Sequence, residues 1–165
     1  MAQTKFRGLP ANTNGDLPEI NSTAPDFILT GTDLKQVRLR DYAGKNVVLN
    51  IFPSIDTSTC ASSVREFNKR AAALPNTVVL NIAKDLPFAM KRFCATEGIN
   101  NVYLASDFRG LGFSKVYGVE LVDTSFVGLL ARAIVVVDKE GKVVHTELVP
   151  TIEQEPDYDS ALKSI

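Results

Sequence analysis

Asn46-Val47-Val48-Leu49-Asn50-Ile51-Phe52-Pro53-Ser54-Ile55-Asp56-Thr57-Ser58-Thr59-Cys60 is the stretch that decides the fold. Residues Asn46 to Phe52 form a nearly continuous apolar run of the kind found in a strand covered on both faces. Pro53 stops the run. Beyond it Val64, Phe67, Ala71 and Leu74 recur at helical spacing, with Arg65, Glu66, Lys69 and Arg70 on the other faces. A second apolar run, Thr77 to Ala83, then reads as the next strand.

Working outward, Asp85 is expected to cap a second helix that has Pro87 in its first turn and Gly98 as its stop. Val102-Tyr103-Leu104 reads as a short strand and Leu111 to Tyr117 as a short helix. Ala133 to Val137 and Lys142 to Val144 flank Asp138-Lys139-Glu140-Gly141, a hairpin signal. Tyr158, Ala161, Leu162 and Ile165 mark a closing amphipathic helix. Toward the N terminus, Asp26 to Leu29 and Val37 to Leu39 are strands joined at Gly31-Thr32-Asp33. Residues 1–25 are turn-rich and carry at most a short pairing of Lys5-Phe6-Arg7 with Leu9-Pro10-Ala11. Strands alternating with helices and ending in a hairpin predict an α/β fold, a mixed sheet with helices on both faces. A thioredoxin-like layout fits this order, with a flavodoxin-like one second. A chain of 165 residues is expected to form one domain, 1–165, with 1–25 as an N-terminal β extension.

Composition narrows the function. With 18 Lys and Arg against 19 Asp and Glu, the net charge of −1 argues against a nucleic-acid or anionic-membrane partner. No apolar run approaches the ~18 residues of a membrane span, and the opening lacks the apolar core of a secretory signal. A cytoplasmic location is therefore expected. There, the 2 cysteines read as free or redox-active thiols rather than as a permanent bridge. Two cysteines and 1 histidine fall short of a closed zinc sphere, so neither metal nor cofactor is expected.

Cys60 carries the chemical information. It falls just after a buried strand and at the start of a helix, where free N–H groups and the helix dipole stabilise a thiolate. Thr57, three residues earlier, can place a hydroxyl beside the sulfur. Position alone leaves open a second reading, a small buried hydrophobe at a helix start. Cys94 lies near the end of the second helix on a face with Leu86 and Met90, too far along the chain for a C-x-x-C motif. His145 reads as a strand histidine without a chemical role, and no Gly-rich phosphate loop is present.

Pro53-Ser54-Ile55-Asp56-Thr57-Ser58-Thr59-Cys60 matches P-x-x-x-T-x-x-C, and here the chain resembles the peroxiredoxins, the bacterial thiol peroxidase subgroup in particular. Asp85 to Ala89, Arg92-Phe93-Cys94, Ser106 to Arg109, Ala131-Arg132-Ala133 and Glu155 to Tyr158 extend the match over nearly the whole chain. Asn81 departs from it, since some members carry a third cysteine there; that position lies outside the catalytic pattern.

The resemblance implies a thioredoxin-like fold with an N-terminal β-hairpin. It implies that Cys60 is the peroxidatic cysteine and Cys94 the resolving cysteine of an intramolecular disulfide. Arg132, which the sequence alone reads as a strand-end arginine, then holds a guanidinium near the sulfur. Thr57 orients the peroxide and Pro53 shields the sulfur from water. Arg109 is a second cation expected near the site. The implied substrate is a hydroperoxide, the implied reductant thioredoxin, and the implied assembly a homodimer. A peroxide sensor or redox relay using the same cysteines, and a binding module with inert cysteines, stay open as alternatives.

Overall fold

The computed structural model describes residues 1–165. Strands β1 (Gln3–Phe6) and β2 (Leu9–Asn12) form a separate two-stranded antiparallel sheet. Arg7 and Gly8 turn between them with φ of 52° and 79°, the paired left-handed geometry that suits a two-residue hairpin. The rest of the chain follows as β3 (Ile28–Gly31), β4 (Gln36–Arg38), β5 (Asn46–Ile51), α1 (Ser58–Ala71), β6 (Thr77–Ala83), α2 (Pro87–Glu97), β7 (Tyr103–Ser106), α3 (Phe113–Val116), β8 (Ala133–Val137), β9 (Val143–Leu148) and α4 (Tyr158–Lys163).

These strands make one seven-stranded sheet in the order β4-β3-β7-β6-β5-β8-β9. β5, β6 and β7 are parallel, and the flanking strands run antiparallel. Alternation along β5 explains its apolar run. Val47, Leu49 and Ile51 enter a core with Phe113 and Tyr117, while Val48 and Phe52 enter another with Val64, Phe67 and Met90. Helices α1, α2 and α4 thus cover one face, and α3 with a 3-10 turn at Leu39–Tyr42 covers the other. The architecture is thioredoxin-like. A flavodoxin-like sheet is excluded because β8 runs antiparallel to β5.

The register brings the chemistry to one end of the central strands of this sheet. Ile51 pairs with Ile82 on β6 and with Ala133 on β8, so the segments leading to Cys60, into α2 and back to Arg132 meet there. Several boundaries differ from the sequence expectation: α3 is shorter, Leu74 falls three residues beyond the end of α1, and β9 runs on to Leu148, four residues past Val144. One difference is chemical. Leu86, not Asp85, is the N-cap of α2, and no side chain caps it. Asp85 instead accepts hydrogen bonds from Ser54 Oγ at 2.7 Å and Ile55 N at 3.1 Å. Gly98 ends α2 as expected, in the left-handed conformation.

Candidate active site

Cys60 sits in the first turn of α1 and is fully buried. Thr57 is the N-cap. Its Oγ1 accepts the Cys60 N–H at 3.4 Å and donates to the Ser54 carbonyl at 3.1 Å. Pro53, also buried, joins the end of β5 to this turn. Beneath the helix, Ser63 Oγ donates to the Cys60 carbonyl at 2.7 Å and accepts from Asn50 Nδ2 at 3.1 Å. Asn50 Nδ2 also reaches Asn81 Oδ1 at 2.8 Å, and Asn81 Nδ2 donates to the Tyr103 carbonyl. Asn81 is therefore part of an amide network that ties β5, β6 and β7 to α1.

Arg132 immediately precedes β8 and is 1 % exposed. The β5–β8 pairing carries it across from the end of β5, and its Nη2 donates to Cys60 Sγ at 3.1 Å. Its Nε donates to the Ile152 carbonyl at 2.7 Å, which fixes the plane of the guanidinium. Nη1 has no hydrogen-bond partner. No carboxylate forms an ion pair with Arg132. A buried cation without an anion is costly by several kcal/mol or more. The side-chain atom that Arg132 meets by hydrogen bond is the Cys60 sulfur, so cation and thiol share one buried site.

Cys94 differs in every respect. It is half-buried in the last turn of α2, packed against the core that also contains Cys60, and both thiols are free. Burial pushes the Cys94 thiol up, which favours its protonated form. A cation faces one thiol, and desolvation alone acts on the other.

A cavity of about 250 Å³ opens beside Thr57 and Arg132. Phe6, Phe126 and Ile152 give it apolar walls, and Arg7 and Glu153 supply charge. The Phe6 and Phe126 rings stack at 4.3 Å, and the Arg7 N–H donates to Glu153 Oε1 at 2.7 Å. Backbone bonds from Lys5 N to the Pro150 carbonyl and from Ile152 N to the Lys5 carbonyl hold the β1–β2 hairpin in place. A second cavity of about 290 Å³ lies near Val47 and Val137, at the opposite end of β5, and has no cysteine in its wall.

The structure thus brings Pro53, Thr57, Cys60 and Arg132 together. It does not bring Arg109 to them: that side chain is exposed and stacks over Phe108 at 5.2 Å. His145 lies on β9, paired with Val136. Sequence reasoning missed Phe6, Phe126 and Ile152, for which no local signal exists. Asn50 carried a signal, being polar at a buried position of an apolar strand.

This combination of a mixed sheet, a helix-start cysteine and a buried arginine on its sulfur defines a class. The Redoxin family profile matches residues 19–162, and the chain belongs to that family. The thiol peroxidase of Mycobacterium tuberculosis is 54 % identical over 165 residues, covering 100 % of this chain and 99 % of that one. The thiol peroxidase of Corynebacterium glutamicum is 50 % identical over the same 165 residues, with coverage of 100 % and 99 %. Among solved structures, a peroxiredoxin-like protein from Aquifex aeolicus superposes with a TM-score of 0.93 at 35 % identity, covering 99 % of this chain and 95 % of its own. Within the redoxins the chain stands with the thiol peroxidases, enzymes of the peroxiredoxin type.

Proposed function

We propose that the protein reduces hydroperoxides at Cys60 and recycles through a disulfide with Cys94. The observation that carries this reading is the buried Arg132, which gives one N–H to the Cys60 sulfur and keeps Nη1 without a partner beside the cavity. A hydroperoxide in that cavity receives the free donor on an oxygen. The sulfur anion attacks the terminal oxygen, the O–O bond breaks, and the alkoxide takes a proton to leave as the alcohol. Cys60 becomes a sulfenic acid. Thr57 Oγ1 lies at the same wall and orients the peroxide, while Pro53 keeps water from the sulfur.

Cys94 then gives up its proton and its sulfur attacks the sulfenic sulfur; the S–S bond forms, the S–O bond breaks, and the hydroxide leaves with that proton as water. A thioredoxin dithiol reduces that bond by exchange and leaves as its own disulfide. Because Cys94 is held protonated by burial, it does not compete for peroxide. The cytoplasm is the compartment that supplies such a dithiol. No helix is long and apolar enough to cross a membrane. We also propose a homodimer. Exposed Leu86, Phe88, Phe108 and Leu111 follow the C-terminal ends of β6 and β7, at the same end of the sheet as Cys60, and they supply apolar surface for a second copy.

The test is a coupled assay with thioredoxin, thioredoxin reductase and NADPH, run with hydrogen peroxide and cumene hydroperoxide side by side. NADPH consumption is expected with the wild type and none above background with Cys60→Ser, whose hydroxyl barely ionises at neutral pH. Wild-type turnover by Cys60→Ser removes the assignment of the nucleophile. Oxidation of Cys60 without turnover favours the sensor or relay reading.

A further inference from the structure

We infer that Asp85 is a positioning residue for both halves of this cycle: its carboxylate braces the loop that presents Cys60 to peroxide, and its release lets that loop carry the oxidised sulfur to Cys94. The inference rests on the reading of Cys60 and Cys94 as the attacking and resolving pair.

Asp85 occupies the place of a helix cap but does not cap. Its two carboxylate oxygens turn away from α2 to Ser54 Oγ at 2.7 Å and Ile55 N at 3.1 Å. From there the contacts run directly to the reactive cysteine. Ser54 Oγ accepts the Asp56 N–H, and the Ser54 carbonyl accepts the N–H of Thr57 at 3.2 Å and its hydroxyl at 3.1 Å. Thr57 Oγ1 in turn accepts the Cys60 N–H. At the other end the brace is fixed to the sheet, because Ser106 on β7 donates its hydroxyl to the Asp85 carbonyl. One side chain therefore ties the loop before Cys60 to the root of the helix that ends near Cys94.

The same geometry explains why the brace must open. A disulfide requires Cα atoms within about 7 Å, with facing Cβ vectors, and the two thiols here are free, one inside α1 and one inside α2. Cys60 Sγ is fully buried and held by Arg132 Nη2 at 3.1 Å, so bonding to Cys94 takes the sulfur out of the position that the Asp85-braced loop gives it. Helix α2 offers little resistance, since it buries only Pro87 and Met90 and starts without a side-chain cap. The hydrogen bonds to Asp85 are the charge-assisted ones that hold the loop, so they set the balance between the peroxide-reactive and disulfide-forming arrangements.

Opposite effects on two rates test this. In a Cys94→Ser background, one-turnover oxidation of Cys60 is measured by rapid quench for Asp85, Asp85→Ala, Asp85→Asn and Asp85→Glu. With Cys94 present, disulfide closure after one equivalent of hydrogen peroxide is followed by acid quench, alkylation and mass spectrometry. Asp85→Ala is expected to slow oxidation about tenfold, the effect of losing a charged hydrogen-bond partner, and to speed closure several-fold. Asp85→Asn, which keeps the shape and one acceptor oxygen, is expected between wild type and Ala, and Asp85→Glu to recover part of both rates. Leu29→Ala serves as a control for general destabilisation, because Leu29 is buried on β3 in the core on the other face of the sheet and does not line the cavity. Rates within twofold of wild type, or both rates slowed in parallel, overturn the inference. A wild type that forms no Cys60–Cys94 disulfide refutes the pairing, while the oxidation rates, which need only Cys60, still judge the brace.

Discussion

Replacing Arg132 with methionine removes the positive charge on the Cys60 sulfur while keeping an unbranched chain in the buried space. The wild-type guanidinium offers two donors at the site: Nη2, 3.1 Å from Sγ, and the unpartnered Nη1. A donor aimed at developing negative charge in a water-excluded site is worth roughly 2.7–4 kcal/mol, or about 10²–10³ in rate. Methionine loses both donors, and the second-order rate constant with hydroperoxide is expected to fall by about 10⁴, allowing for incomplete additivity. Arg132→Lys keeps the charge but lacks the planar fork that reaches Cys60 and the Ile152 carbonyl together, so a loss of about 10² is expected. The chain has 0 tryptophans, which rules out tryptophan fluorescence as the signal. Residual hydroperoxide after rapid quench, in a Cys94→Ser background, gives one reaction per chain instead. The Ile152 carbonyl is left without its partner, a cost of about 1–3 kcal/mol, so a denaturant curve must confirm that Arg132→Met is folded. A folded Arg132→Met that reacts within about tenfold of wild type would refute the argument.

Thr57→Val deletes the N-cap of α1 at nearly constant volume; a stability loss of about 1 kcal/mol by denaturant titration is expected, with slower Cys60 oxidation, and Thr57→Ser should restore both. Asp107 is held above the usual carboxylate range, chiefly by burial, although Lys84 at 3.4 Å pulls the other way. Its contribution to stability is therefore full below the ordinary carboxylate range and is lost as pH rises through the elevated value. Asp107→Asn stays neutral throughout, so its stability relative to wild type should rise as pH climbs above the ordinary carboxylate range; parallel stability–pH curves would reject this. Hydrogen exchange should show different protection over 57–64 and 85–97 in the dithiol and disulfide forms, with α2 the more affected because it buries so little. Identical protection in the two forms would exclude local opening.

What the chain spelled out locally, the structure repeats. The apolar run Asn46–Phe52 became an interior strand because alternate residues had a core to enter on each face. The proline, threonine and cysteine spacing became a capped helix start because those contacts span only three residues. Asp85 shows where local reading fails. Its sequence position favours a cap, but Ser54 and Ile55, about thirty residues earlier, offer better donors, and nothing near Asp85 announces them. Arg109 and Arg132 make the same point as a pair. Both are isolated arginines beside a strand, and only the sheet order decides that one meets the sulfur and the other lies on the surface. The apolar walls from Phe6, Phe126 and Ile152 were equally silent, since three distant segments must first be packed together.

The distance in sequence between Cys60 and its cation has a bearing on how the protein is made. Arg132 lies 72 residues after the cysteine, and the carbonyl that orients it comes 20 residues later still. As a nascent chain leaves the ribosome, Cys60 emerges early, as an ordinary thiol with no guanidinium to hold charge on it. The sulfur meets Arg132 only when β8 has paired with β5 and the segment at Ile152 has closed over it. A chain that stops short of Ile152 keeps Cys60 but lacks the carbonyl that fixes the plane of the Arg132 guanidinium. On the proposed reading, the thiol that attacks peroxide therefore gains its cation only after the residues of α2, Cys94 among them, have been made.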